Sequence, residues 1–177
     1  HTAVATAAAI KRAGARPVFV DIEPDYFTLD PKKLDDALTN KTKAVVPVHL
    51  YGQAADLDAI RTFARNHGIA VIEACAQSAG GSYGHDKLGA LGDLGCFSFF
   101  PTKNLGAIGD GGGIVTNNDT VAERLQRLRQ YGWQSERISQ EPGMNSRLDE
   151  IQAAVLRVKL RHLEEGTHRR RAIAASY

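Results

Sequence analysis

The stretch Ala44-VVPVHLYGQAADLDAIRTFARNHGIAVIE-Ala74 decides how this chain folds. Its two ends, AVVPVHL (Ala44 to Leu50) and AVIEA (Ala70 to Ala74), are short apolar runs rich in branched residues, and they read as strands. Between them, DLDAIRTFARNHG (56–68) repeats its apolar residues at intervals of three and four, and Gly68 stands where a helix would stop. Strand, helix, strand in that rhythm predicts a mostly parallel sheet with helices packed on its faces, an α/β fold.

Working outward, PVFVDI (17–22), GCFSFF (95–100) and GGIVT (112–116) read as further strands, and LDPKKLDDAL (29–38) as a helix before the central stretch. His1-TAVATAAAIKRA precedes Gly14 as an alanine-rich helix. From Asp119 the pattern changes to long helix, loop and long helix: DTVAERLQRLRQYG, the polar WQSERISQEPGMNS, then RLDEIQAAVLRVKLRHLEEG. The first residue is not methionine, no signal-peptide pattern follows it, and the last residues, RRRAIAASY, run out inside a helical pattern. The expectation is a fragment cut at both ends.

With 177 residues, 43% hydrophobic and 24% charged, the composition is that of an ordinary globular domain rather than a disordered chain. No apolar run approaches the length of a membrane span. The formal net charge is only +2 and the basic residues are dispersed, which argues against nucleic acid as a partner. Cys75 and Cys96 sit in apolar contexts without CxxC spacing or a histidine cluster, so they are expected to be reduced core residues of a cytoplasmic protein, with no metal site.

In open α/β sheets, ligands sit beyond the carboxyl ends of strands. Three segments fall at such ends: His49-LYG, Glu73-ACAQSAGG and Ser98-FFPTKNLG. In Cys96-FSFFPTKNLGAIGDGGGIVTNN-Asp119, a single lysine, Lys103, follows a strand and a proline and precedes a glycine-rich run from Gly106 to Gly113, where backbone could approach a flat ligand. A lysine held among apolar groups can serve as a free amine that condenses with an aldehyde. On composition alone, an exposed loop lysine is the favoured reading of Lys103.

The segment SFFPTKNLGAIGDGGGIVTNN resembles the lysine motif of the DegT/DnrJ/StrS sugar aminotransferases, which use pyridoxal 5'-phosphate (PLP). PVFVDIEPDYFTLDPKKL, VPVHLYGQAADLDAI, VIEACAQSAGGSYG and GMNSRLDEIQAAVLRVKL each resemble a family block, in the family's order, so the resemblance spans essentially residues 1–177. It implies the PLP-binding large domain of the type I aminotransferase fold, with an N-terminal segment and a C-terminal small domain lying outside this sequence. It implies amino transfer from glutamate to a keto-sugar nucleotide, dTDP- or UDP-linked, and a homodimer with shared active sites. The GMNSRLDE segment is more similar to members acting at the third carbon of a deoxysugar than at the fourth.

Carried onto this sequence, the resemblance makes Lys103 the residue that captures the cofactor aldehyde and later shuttles a proton. It gives Ser98 and Asn145 the cofactor phosphate, Gln77 the ring hydroxyl, and Arg147 and Tyr51 the substrate, with Asn145 reaching the neighbouring subunit's site. Ser98 could also be strand filler, Gln77 an exposed helix-start residue, and Asn145 with Arg147 a cap and a surface ion pair. His49 is better read as a satisfied structural histidine.

One position departs from the family. Ala74 stands where the resemblance calls for an aspartate paired with the protonated cofactor ring nitrogen, and Glu73 beside it should point to the opposite face. Removing a buried charge partner costs about 3–5 kcal/mol, or roughly two to four orders of magnitude in rate if felt fully in the transition state. The expectation is cofactor binding with impaired transamination. A non-catalytic PLP-binding or regulatory homologue is the alternative. A related sugar dehydratase would carry histidine in place of Lys103, and a structural domain without cofactor is disfavoured by five family blocks in order.

Overall fold

A computed structural model describes residues 1–177, which divide into two compact units, His1–Phe97 and Ser98–Tyr177.

In the first unit, helix α1 (Val4–Arg12) runs to a left-handed Gly14. Pro17–Val20 carries no strand pairing, and only an isolated bridge joins Ile22 to Leu29, so the strand expected over 17–22 does not form. The helix expected over 29–38 is shorter and broken: Asp30 caps a 3₁₀ turn at Pro31–Lys33, which passes into the single-turn α2 (Leu34–Ala37). Strand β1 is only Ala44–Val45, because Pro47 offers no N–H to a ladder; its carbonyl instead accepts from Ala74.

Helix α3 (Leu57–His67) follows the expectation closely. The Asp56 carboxylate accepts the N–H of Ala59 at its start, and the left-handed Gly68 closes its end. The three-and-four spacing puts Leu57, Ile60 and Ala64 on its buried face. Ile60 and Ala64 pack with Leu34, Val45, Ala55 and Val71, and burying a side chain the size of Ile60 contributes about 1.5–3 kcal/mol.

Strand β2 (Ala70–Ala74) pairs in parallel with β1 on one side and with β5 (Leu94–Ser98) on the other. Between β2 and β5 lies an unanticipated antiparallel hairpin, β3 (Ser82–Tyr83) and β4 (Asp86–Lys87). This unit is thus a parallel β-α-β arrangement with Leu57, Cys75 and Leu88 forming a second apolar cluster. Cys75 is buried and Cys96 half-buried, both as free thiols.

The second unit begins at the last residue of β5. The chain loops through Lys103 to β6 (Gly112–Val115), then to α4 (Asp119–Leu128), capped by the Asn118 side chain. The long helix expected over 147–166 is two helices, α5 (Glu150–Leu160) and α6 (Leu163–Ala175). The break at Arg161–His162 has neither glycine nor proline, so no sequence signal marks it. No helix is long and apolar enough to cross a membrane.

Candidate functional site

Strand alternation decides what stands at the end of β2. Glu73 is fully buried on one face and Ala74 half-buried on the other. The Glu73 carboxylate is completely engaged. One oxygen accepts from His49 Nε2 at 2.9 Å and from the N–H of Gly89 at 2.8 Å. The other accepts from the N–H groups of Leu91 at 2.8 Å and Gly92 at 2.6 Å. Burial alone would raise this carboxyl group, but the hydrogen bonds from His49 and from the Gly92, Gly89 and Leu91 amides outweigh it and hold it below its ordinary value. Glu73 therefore does not substitute for a carboxylate at position 74.

His49 is the satisfied structural histidine expected. Its Nδ1 accepts the N–H of Ala55 at 3.1 Å, which leaves the ring proton on Nε2 to be donated to Glu73. His49, Glu73 and Cys75 place one donor atom each within 4.8 Å of one another, the spacing of a metal site. Both imidazole nitrogens and both carboxylate oxygens already have partners. Burial, with the Glu73 charge adding to it, pushes the Cys75 thiol up to about 12. This chemistry suits a protein staple rather than a cation.

After β2 the chain turns through Gln77, whose side-chain oxygen accepts the backbone N–H of Tyr51 at 2.7 Å. Two of the three strand-end segments are thereby joined. Tyr51 holds φ at 56° and Gly52 at 81°, a consecutive left-handed pair that aims the Tyr51 amide at Gln77. A left-handed tyrosine costs about 1–2 kcal/mol, so the turn is held by its surroundings. With its oxygen occupied, Gln77 presents its NH₂ as a donor. The Tyr51 ring is exposed and its hydroxyl lies 3.1 Å from His1 Nε2.

The second unit carries the remaining candidates. Ser98 Oγ accepts the N–H of Phe100 at 3.3 Å and keeps its own proton to donate. Lys103 is half-buried, on a turn closed by its own N–H to the carbonyl of Phe100. The loop closes on Phe99, which accepts from the Ala107 N–H and donates to the Gly111 carbonyl. A Cβ on Gly106 would meet the carbonyls of Pro101 and Phe100, and one on Gly111 would meet Leu148 and Phe99, so these glycines serve close packing within the protein.

Asn145 and Arg147 are both exposed, and Arg147 Nε donates to Asn145 Oδ1 at 2.9 Å. The Asn145 amide is thus turned with its NH₂ outward beside a guanidinium, a pair suited to an anion. Hydrogen bonds from Met144 to Leu128, from Tyr131 to Met144 and from Ser146 to Arg129 fasten this segment to the end of α4. Sequence reasoning did not find the Glu73 staple, although a glutamate inside an apolar strand was a visible signal that it must be paired.

The family model for the DegT/DnrJ/EryC1/StrS aminotransferases matches residues 1–177. The chain belongs to this family. It is 52% identical over 176 residues to a pleiotropic regulatory protein of Geobacillus stearothermophilus, covering 99% of the chain and 47% of that relative. It is 47% identical over 177 residues to a dTDP-3-amino-3,4,6-trideoxy-alpha-D-glucose transaminase of Streptomyces venezuelae, covering all of the chain and 47% of that relative. The crystal structure of S. venezuelae DesV in complex with a ketimine intermediate superposes with a TM-score of 0.97 at 47% identity, over 100% of this chain and 48% of that one. The fold is that of the PLP-dependent aminotransferases, and the chain spans about half the length of the relatives it matches.

The side chains at the family's positions fit PLP in all but one respect. Taken residue by residue, the amine of Lys103, the hydroxyl of Ser98 and the amides of Gln77 and Asn145 are groups of the kinds that would meet an aldehyde, a phosphate and a ring oxygen. Ala74 has no charge to offer a protonated ring nitrogen, and Glu73 is held away on the other face.

Proposed function

We propose that this chain is the cofactor-binding domain of an aminotransferase that moves an amino group from glutamate to a keto-sugar nucleotide, with transfer impaired by Ala74. The observation that carries the reading is the match of the whole chain, at 47% identity, to a transaminase of a 3-amino deoxysugar. That same match favours the third carbon of a dTDP- or UDP-linked sugar as the site of amination. PLP, when bound, supplies the electron sink that lets the amine-bearing carbon lose its proton. Lys103 would anchor it covalently and then carry that proton on Nζ. Ser98 and Asn145 would hold the phosphate, Gln77 would donate to the ring oxygen, and Arg147 and Tyr51 would meet the substrate.

A homodimer sharing its active sites belongs to this reading, and exposed Ile151, Val158 and Leu160 on α5 support it by offering apolar surface to a second copy. A full-length monomer that still transfers amino groups would remove the role given to Asn145. Free Cys75 and Cys96 support a reducing, cytoplasmic setting.

The second reading is a PLP-binding regulator without turnover. Ala74 and the 52% identity to a pleiotropic regulatory protein favour it. One experiment separates the two. The protein at its full encoded length is loaded with PLP and reduced with borohydride, and the label is located by peptide mass mapping, beside the Ala74→Asp form. Label on Lys103 in both, with glutamate converting the cofactor to its amine form only when aspartate is present, supports the enzyme. Label in both with no amino transfer in Ala74→Asp to any keto-sugar nucleotide supports the regulator. Absence of label from Lys103 overturns both.

A further inference from the structure

The loop that carries Lys103 is gripped by two side chains of α5. Gln152 Oε1 accepts the backbone N–H of Ile108 and that of Gly109, each at 3.0 Å. Lys159 Nζ donates to the carbonyl of Gly106 at 2.6 Å. Gln152 and Lys159 are seven residues apart, two turns along the same helix face. The helix therefore meets both polarities of the loop backbone, an acceptor for its N–H groups and a cation for its carbonyl.

The loop is shaped for this grip. Leu105, Gly106 and Ala107 form a buried neck, and the Ala107 N–H is donated to Phe99. A Cβ at Gly109 would collide with the Gln152 amide nitrogen at 2.8 Å, so the loop lies as close to that side chain as a residue without one allows. Gln152 is half-buried, and an amide that satisfies two N–H groups at once fixes the loop's position along the helix as well as its distance. Neither residue is at a position to which the sequence resemblance assigns a role.

We propose that Gln152 and Lys159 are positioning residues that hold the Lys103 turn in the geometry in which its amine captures the cofactor aldehyde. The proposal rests on the reading of Lys103 given above. The grip acts on the reach and direction of Nζ rather than on the shape of the phosphate and ring contacts, which come from Ser98, Gln77 and Asn145. Loosening it slows covalent capture and leaves non-covalent recognition of the same phosphopyridine intact.

The test uses the protein at its full encoded length and two probes: PLP, whose visible absorbance reports capture by the amine, and pyridoxine 5'-phosphate, which has an alcohol in place of the aldehyde and cannot condense. Gln152→Leu and Lys159→Met are each expected to slow capture at Lys103 roughly tenfold while affinity for pyridoxine 5'-phosphate stays within about twofold. Gln152→Glu, which keeps an oxygen for both N–H groups, is expected to restore most of the rate, as is Lys159→Arg. An unchanged capture rate in Gln152→Leu, or an equal loss of affinity for the alcohol analogue, overturns the proposal, the second by showing a general structural role. Absence of borohydride label from Lys103 in the parent protein is a different result: it sinks the reading of Lys103, and this inference with it.

Discussion

The side-chain oxygen of Gln77 accepts the backbone N–H of Tyr51 at 2.7 Å, and the bond fixes which end of the glutamine amide faces outward. Gln77→Glu keeps an oxygen for Tyr51 but replaces the NH₂ donors with a second, negatively charged oxygen. The expected outcome is PLP affinity weakened at least about tenfold, the loss of one hydrogen bond to a charged acceptor. An absorbance titration checks it, and affinity equal to the parent's would withdraw the ring-oxygen contact from Gln77.

The Glu73 staple makes stability depend on acid. Its folded carboxyl sits below its ordinary value of 4.5, so the unfolded chain binds the proton more readily. The contribution is fully present above about pH 4.5 and is lost as pH falls through the lower folded value. Glu73→Gln forfeits at least two hydrogen bonds to a charged acceptor, and is expected to cost at least about 3 kcal/mol at pH 7. It should also flatten the acid limb of urea midpoints measured across this range. A variant as stable and as acid-sensitive as the parent would show that another group sets the limb.

Gly132 cannot carry a side chain. Its φ is +73° and a Cβ would overlap the carbonyl of Glu141 across the loop that leads to Asn145. Gly132→Ala is expected to destabilise by at least about 2 kcal/mol, combining left-handed strain with a forced backbone shift. Hydrogen exchange should show faster loss of protection at Met144 and Ser146, whose N–H groups bond to the end of α4. Unaltered exchange there would mean that the two halves of the loop are held independently.

Ile60 is wholly buried on the inner face of α3. Ile60→Ala is expected to lower stability by about 2–5 kcal/mol, read as a fall in the urea midpoint at constant slope. A loss below about 1 kcal/mol would mean that Leu34 and Val45 collapse into the space.

What could be read from the sequence is uneven, and the reasons are physical. Helix α3 was legible because its apolar spacing and its closing glycine are both local. The β2 strand and the opposed faces of Glu73 and Ala74 were legible because strand alternation is local as well. The Pro17–Ile22 stretch misled because an apolar run is a strand only if a neighbour offers it a ladder, and here the pairing is limited to one isolated bridge between Ile22 and Leu29. The β3–β4 hairpin turns at Gly84 and His85, a two-residue glycine turn that passed unread. The division of α5 from α6 has no breaker residue and lies in the backbone itself, where His162 leaves helical geometry at φ −107° and ψ 4°. At the site, the types of the donors were visible, but the orientations of the Gln77 and Asn145 amides depend on partners brought in by the fold.

The four hydrogen bonds that converge on Glu73 are made without any help from residue 74. Shape and chemistry are consequently uncoupled at adjacent positions of one strand. On the function proposed above, the carboxylate called for at 74 can be lost or regained by a single codon change without disturbing the hydrogen bonds that hold the fold.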